Sequence, residues 1–223
     1  MWSFSSRWLF SLFTACLLSV LSIVPASAEE GRYGHLVSAS WLQENLADVV
    51  LLDASFAHLY KAGHIPGAVS ADNYGGQEPS RAVMEGRFQS WGISPGRKIV
   101  VYDKGGDWNA TRLFHDLYYY GIPAEDIFIL DGGLSKWQSL GGAISKETSP
   151  APIRGTFLIN KVREDVRVRL PEFMVASGDN VGNALVDALG VEYYYGEEKF
   201  FTRAGHVPNA ILMRSTEFFN ADK

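Results

Sequence analysis

The chain of 223 residues contains one cysteine, Cys16, and it lies in an N-terminal stretch that reads as a removable leader. Disulfides are thereby excluded from the rest of the polypeptide, even where export would permit them. Metal ligands are also sparse. The five histidines, His35, His58, His64, His115 and His206, show no HExxH or similar spacing, so no metal site is expected. Excess positive charge is missing as well. Without residues 1–28, 19 basic side chains face 25 acidic ones, a net charge of −6, and such a chain has no overall attraction for nucleic acid. The glycine pairs lack the Lys-Ser/Thr step of a Walker phosphate loop, and no segment offers the cysteine and arginine of a phosphatase loop.

In residues 1–28, Arg7 is the only charged side chain. An apolar run from Trp8 to Val24 follows, and Pro25-Ala26-Ser27-Ala28 supplies small residues ahead of Glu29-Glu30. This pattern predicts a secretory signal peptide cleaved after Ala28. A single membrane anchor is the competing reading, because the run nearly suffices to span a bilayer. With cleavage the product is periplasmic or secreted and keeps no membrane span.

Strand-like and helix-like runs alternate through the remainder, which predicts an α/β fold with a mostly parallel sheet and helices on both faces. Val49 to Asp53, Lys98 to Tyr102 and Ile127 to Leu130 read as buried strands. Ser40-Trp41-Leu42-Gln43 reads as a capping box, Phe56 to Ala62 as a helix closed by Gly63, and Arg81 to Trp91 as a helix stopped at Gly92. Ala110, Leu113, Phe114, Leu117 and Tyr118 have the period of a helix burying one face, with Asp107 or Asn109 as its cap. The Gly141-Gly142 to Gly155 region reads as a linker. Lys161, Arg163, Arg167 and Arg169 alternate with Val162, Val166 and Val168, which predicts a strand with one charged face; a cleft rim attracting an anion is the competing use.

Beyond that linker the chain repeats itself. Leu51-Leu52-Asp53-Ala54 returns as Leu185-Val186-Asp187-Ala188, and Gly63-His64-Ile65-Pro66-Gly67-Ala68 as Gly205-His206-Val207-Pro208-Asn209-Ala210. The exchange of Gly67 for Asn209 is physically sensible, since asparagine is the non-glycine residue that best tolerates positive φ.

These motifs, with Val100-Val101-Tyr102-Asp103, Ala110-Thr111-Arg112 and Leu130-Asp131-Gly132-Gly133 plus Trp137, resemble the rhodanese family, specifically its two-domain thiosulfate and 3-mercaptopyruvate sulfurtransferases of periplasmic type. The resemblance implies a tandem: a first domain at 36–141, a linker at 142–157, and an incomplete second copy at 158–223. It implies sulfane-sulfur transfer from a small anionic donor to a thiol or cyanide acceptor, through a cysteine persulfide and with no cofactor. In such proteins the second domain carries that cysteine, at the tip of the strand matching Lys98 to Tyr102, and Asp103 holds the place in the first domain.

Aspartate oxygen cannot carry sulfane sulfur. Asp103 is therefore expected either to sit as an anion in a nest of backbone N–H groups or simply to cap the following loop. No catalytic residue is expected in the chain. Trp108 is expected to pack between domains or line the mouth of a site, and Arg112 to form an ion pair or contact an anion. The arginine often found after the Asp-Ala pair is replaced by Ser55 and Leu189; Arg203, with Lys199 and Arg214, is the candidate to compensate. Asp53, His64, Asp187 and His206 are read as structural motif residues. Ala71 departs from the larger apolar residue usual at its place.

The second copy is expected to stop before its nucleophile loop, so the chain reads as a fragment, inactive as it stands. Ordering its residues costs on the order of 1 kcal/mol each, with few central strands to offset that, so loose packing is expected. The alternative is a non-catalytic module that binds an anion or a protein in the cell envelope.

Overall fold

Strands built from uninterrupted apolar runs need cover on both faces, and the computed structural model, which describes residues 32–72, 79–179 and 181–218, supplies it. The leader and Cys16 lie outside the described residues. In chain order residues 32–139 contain β1 (Arg32–Tyr33), β2 (Leu36–Val37), α1 (Ala39–Asn45), β3 (Val49–Asp53), α2 (Ala57–Ala62), β4 (Val69–Ser70), α3 (Arg81–Ser90), β5 (Lys98–Tyr102), α4 (Asn109–Tyr119), β6 (Ile127–Leu130) and α5 (Gly133–Ser139). The six strands form one sheet in the order β1-β2-β6-β5-β3-β4. Every pairing is parallel except β1 with β2.

Successive strand residues point to opposite faces, and each face has its own core. Val50, Leu52, Ile99, Val101 and Ile127 pack with Met84 and Phe88 of α3 and Ala110, Leu113 and Leu117 of α4. Val49, Leu51, Val100, Tyr102, Phe128 and Leu130 pack with Trp41 and Leu42 of α1, Tyr60 of α2 and Trp137 of α5. The helices thus divide between the two faces, as the alternating pattern implies.

Several local expectations need correction. The cap of α1 is Ser38, whose hydroxyl accepts from the Trp41 N–H at 3.1 Å, and not Ser40. The chain leaves β2 at Val37, so the first free side chain is Ser38. Helix α4 begins behind Trp108 and takes no cap from Asp107 or Asn109; its Ala110 N–H goes to Asp103 instead. The alternating stretch 161–169 is not a strand: Glu164–Val166 is a single 3-10 turn. Its arginines find aromatic and carbonyl partners. Arg163 donates to the Tyr118 and Ile122 carbonyls and stacks on the Tyr118 ring at 4.2 Å, Arg167 lies over Tyr119 at 5.5 Å, and Arg169 pairs with Glu164 at 2.9 Å. Val162 and Val166 still pack on the core.

Residues 142–163 contain no regular element yet are fastened along the domain. His64 and Ser145 exchange backbone hydrogen bonds at 2.9 and 2.8 Å, the Gly155 N–H reaches the Gln89 carbonyl at 2.8 Å, and Ile159 is buried in the core beside α3 and α4.

The remaining elements are α6 (Leu170–Ser177), β7 (Leu185–Asp187), α7 (Val191–Tyr194) and β8 (Ala210–Leu212), with β7 and β8 paired in parallel as a separate sheet. Several of their local contacts match those around β3 and β4. Leu52 and Asp53 pair with Val69 and Ser70, while Val186 and Asp187 pair with Ile211 and Leu212. The Tyr60 hydroxyl donates to the Ala68 carbonyl at 2.8 Å, and that of Tyr194 to Ala210 at 2.7 Å. Asn209 takes φ 66° where Gly67 takes 83°. Burial differs. Leu185 alone is buried among the described residues of 164–218, while Met174, Val175, Phe200, Phe201 and Phe218 are exposed.

Candidate active-site loop

The β5 strand delivers Asp103 to the C-terminal edge of a parallel sheet, where open α/β sheets place their ligand sites. Asp103 is only 4% exposed. One carboxylate oxygen accepts from the Gly105 N–H at 2.8 Å and the other from the Ala110 N–H at 2.9 Å. The first bond is a local Asx turn; the second caps the eleven-residue α4, whose N-terminal dipole favours negative charge. Both readings of Asp103 therefore describe one arrangement, an anion in a backbone nest that is also a helix cap. Burial pushes the Asp103 carboxyl above its usual range; the N–H donors of Ala110 and Gly105 pull it back, and neighbouring Asp107 adds repulsion.

A second glycine turn holds this loop from below. The Leu134 N–H donates to the Asp103 carbonyl at 2.8 Å, and Ser135 donates to the Lys104 carbonyl through its N–H at 2.9 Å and its hydroxyl at 2.6 Å. Gly105 and Gly133 both have positive φ, and the backbones meet closely. A Cβ on Gly105 would lie 2.3 Å from the Gly132 carbonyl oxygen, and one on Gly133 2.6 Å from that of Asp103. Gly105 and the Gly132-Gly133 step are thus steric requirements of one another.

Trp108 is 45% exposed at the loop's outer side, and the Arg112 guanidinium lies 5.8 Å from its ring centroid. Asp107 accepts from the Trp108 N–H at 2.8 Å and from the Asn109 side chain at 3.1 Å. Trp108 and Arg112 therefore form one aromatic-cation pair beside the loop. Arg203 is exposed on the second sheet's side of the chain and makes no hydrogen bond, ion pair or ring contact to another described residue.

Asp53, on the strand next to β5, is fully buried. One carboxylate oxygen accepts from the Ser55 N–H at 2.9 Å, and the other accepts no hydrogen bond from a described residue. Burial raises the Asp53 carboxyl, against the opposing pull of Ser55, Tyr102 and His64. The Tyr102 hydroxyl accepts from the Ile65 N–H at 3.0 Å, and burial together with nearby Asp53 raises its pKa. His64 is fully buried, stacks on Tyr60 at 3.8 Å between centroids, and directs Nδ1 to the Tyr60 carbonyl at 2.9 Å. Asp187 and His206 repeat these contacts in the second unit: Asp187 accepts from the Leu189 N–H at 3.0 Å, and His206 stacks on Tyr194 at 3.7 Å.

The segment from residue 38 to 140 matches the family of rhodanese-like domains. The chain is 31% identical over 180 residues to a thiosulfate sulfurtransferase of Pseudomonas aeruginosa, covering 74% of this chain and 62% of that protein. A probable 3-mercaptopyruvate sulfurtransferase of the same organism is 28% identical over 219 residues, covering 84% and 73%. Among solved structures, SseA from Escherichia coli, described as a 3-mercaptopyruvate sulfotransferase with the rhodanese fold, aligns with a TM-score of 0.73 at 25% identity, covering 84% of this chain and 78% of that one. The chain thus spans about three fifths of the thiosulfate sulfurtransferase it matches.

Within residues 38–140, the sequence pointed to Asp103, Trp108 and Arg112. It did not reveal the Asp103–Ala110 bond, which joins residues seven apart across an irregular loop. Nor did it reveal the interlocked glycine turns, for which the doubled Gly-Gly motif was the available signal. Among the described residues no cluster of three potential metal ligands occurs, and no helix is long and apolar enough to cross a membrane.

Proposed function

We propose that this chain belongs to an exported rhodanese-like sulfurtransferase and that its domain at 36–141 is the non-catalytic member of a tandem. One observation carries the proposal: the Asp103 carboxylate occupies the strand-tip nest, bonded to the Gly105 and Ala110 N–H groups. Sulfur transfer needs a thiolate there. The thiolate attacks the sulfane sulfur, a new S–S bond forms as the donor's S–S or C–S bond breaks, and a thiophilic acceptor then removes the sulfur. A carboxylate satisfies the nest's electrostatics and performs none of these steps.

The donor is a small anion of the thiosulfate or 3-mercaptopyruvate class and the acceptor a thiol or cyanide. That assignment is supported by what the related proteins are named. The second-copy reading of residues 158–223 is supported by the repeated strand register, tyrosine-histidine stack and positive φ at Asn209. A module that binds a free anion at the Asp103 loop is disfavoured, because the loop's own carboxylate already takes those donors.

The test is mass spectrometry of the purified chain after incubation with thiosulfate, beside a thiosulfate:cyanide assay. No covalent gain of sulfur and no thiocyanate above background are expected. Thiocyanate formed above background by the purified chain would overturn the proposal. Export and cleavage are tested by fractionation with N-terminal sequencing, which is expected to read from Glu29.

A further inference from the structure

The Asp103 loop occupies one end of the parallel sheet; a separate cleft of about 630 Å³ opens at the other. Arg97, just before β5, Asp126, just before β6, and Ile122 and Pro123, behind α4, form one side, and the strap from Thr156 to Asp165 forms the other. The volume lies within the range of small-molecule sites, and Ile93, Ile99, Ile122, Phe157 and Leu158 give it an apolar lining.

Its charged groups differ in how they are used. Arg163 is committed to the Tyr118 and Ile122 carbonyls and to the Tyr118 ring. The side chains of Arg97 and Lys161 make no hydrogen bond or ion pair to any other described residue. Asp126 and Asp165 also border the cleft, so a polyanion would meet like charge there.

We propose that this cleft is a second ligand site, for an amphipathic organic monoanion whose carboxylate is held by Arg97 and Lys161 and whose short alkyl or aryl body lies on Ile122, Phe157 and Leu158. Two donor-rich cations suit one carboxylate, and the apolar wall excludes a bare inorganic ion as the preferred occupant. The inference stands apart from the sulfur-transfer proposal, since it uses no residue of the Asp103 loop.

Octanoate is the probe, titrated into the full chain and followed by amide shifts in two-dimensional NMR. Saturable shifts are expected at Gly96, Gly121, Thr156 and Leu158, with octanol much weaker. The double variant Arg97→Glu/Lys161→Glu, altered at two exposed positions, is expected to weaken octanoate binding about tenfold or more with the rest of its spectrum unchanged. Arg97→Gln/Lys161→Gln provides the same readout with less charge change should the reversal disturb folding. Absence of saturation, shifts centred on the exposed apolar residues of 168–218, or equal affinity in the charge variants would overturn the proposal.

Discussion

Replacing Asp103 by alanine removes an acceptor from two backbone donors at once. Gly105 and Ala110 donate at 2.8 and 2.9 Å to a carboxylate only 4% exposed, so water has little access to replace it. Losing a helix cap costs about 1 kcal/mol, and a buried donor left unsatisfied about 1–3 kcal/mol. Against this stands relief from burying a charge, visible in the raised Asp103 carboxyl. The two costs sum to about 2–4 kcal/mol and the relief offsets part of them, leaving a net loss of about 1–3 kcal/mol for Asp103→Ala. Asparagine keeps one acceptor and turns its NH₂ toward the other N–H, so Asp103→Asn should lose less. With a urea slope of about 2 kcal/mol per molar for a domain of this size, the alanine variant's midpoint falls by about 0.5–1.5 M. Hydrogen exchange provides the local readout: the Gly105 and Ala110 amides should lose protection ahead of the α4 interior. An alanine variant as stable as the parent, with both amides still protected, would refute the claim that Asp103 holds the loop.

Two further perturbations follow from the buried motif. Burial holds the Asp53 carboxyl above its unfolded value of about 3.9, so its contribution to stability is complete below that pH and is lost as pH rises through the folded pKa. Stability of the parent minus that of Asp53→Asn should therefore fall as pH rises from about 4, measured by urea unfolding at a series of pH values; a difference that grows with pH contradicts the burial argument. Tyr60→Phe deletes a buried bond to the Ala68 carbonyl and should cost about 1–2 kcal/mol, whereas Tyr194→Phe deletes the corresponding bond in the open second unit and should cost less. Thermal melts of the two variants decide the order, and a larger loss for Tyr194→Phe would count against it.

The strands were legible because each is an unbroken apolar run ended by a polar residue or glycine. β3, β5 and β6 fall on the residues that pattern marks. Where two local solutions compete, tertiary pairing decides: Ser38 and Ser40 are equally good caps by composition, and the pairing of Val37 with Leu130 ends the strand where only Ser38 can serve. The misreading of residues 161–169 has a related cause. Alternation predicts a strand only where a partner edge is available, and here the Tyr118 and Tyr119 rings and the Tyr118 and Ile122 carbonyls take the arginines first. At the loop, the Asp-x-Gly turn was visible as local chemistry, while the reach to Ala110 depends on how the glycine pairs stack.

That stacking also bears on why a carboxylate suits this position. A loop whose N–H groups converge on one point stabilises whatever anion is placed there, and it is costly if left empty. Supplying the anion from the chain itself makes the site permanently full and rigid, and it couples β5 to α4 through a single residue. A thiolate in the same place would keep the electrostatics and add a nucleophile. A carboxylate keeps the electrostatics and adds a cap. The carboxylate therefore serves the fold, one oxygen for the Gly105 N–H and one for the Ala110 N–H, and gives up the nucleophile. On the proposed reading, any sulfur carried by this protein must be carried on a thiol outside residues 29–223, because those residues contain none.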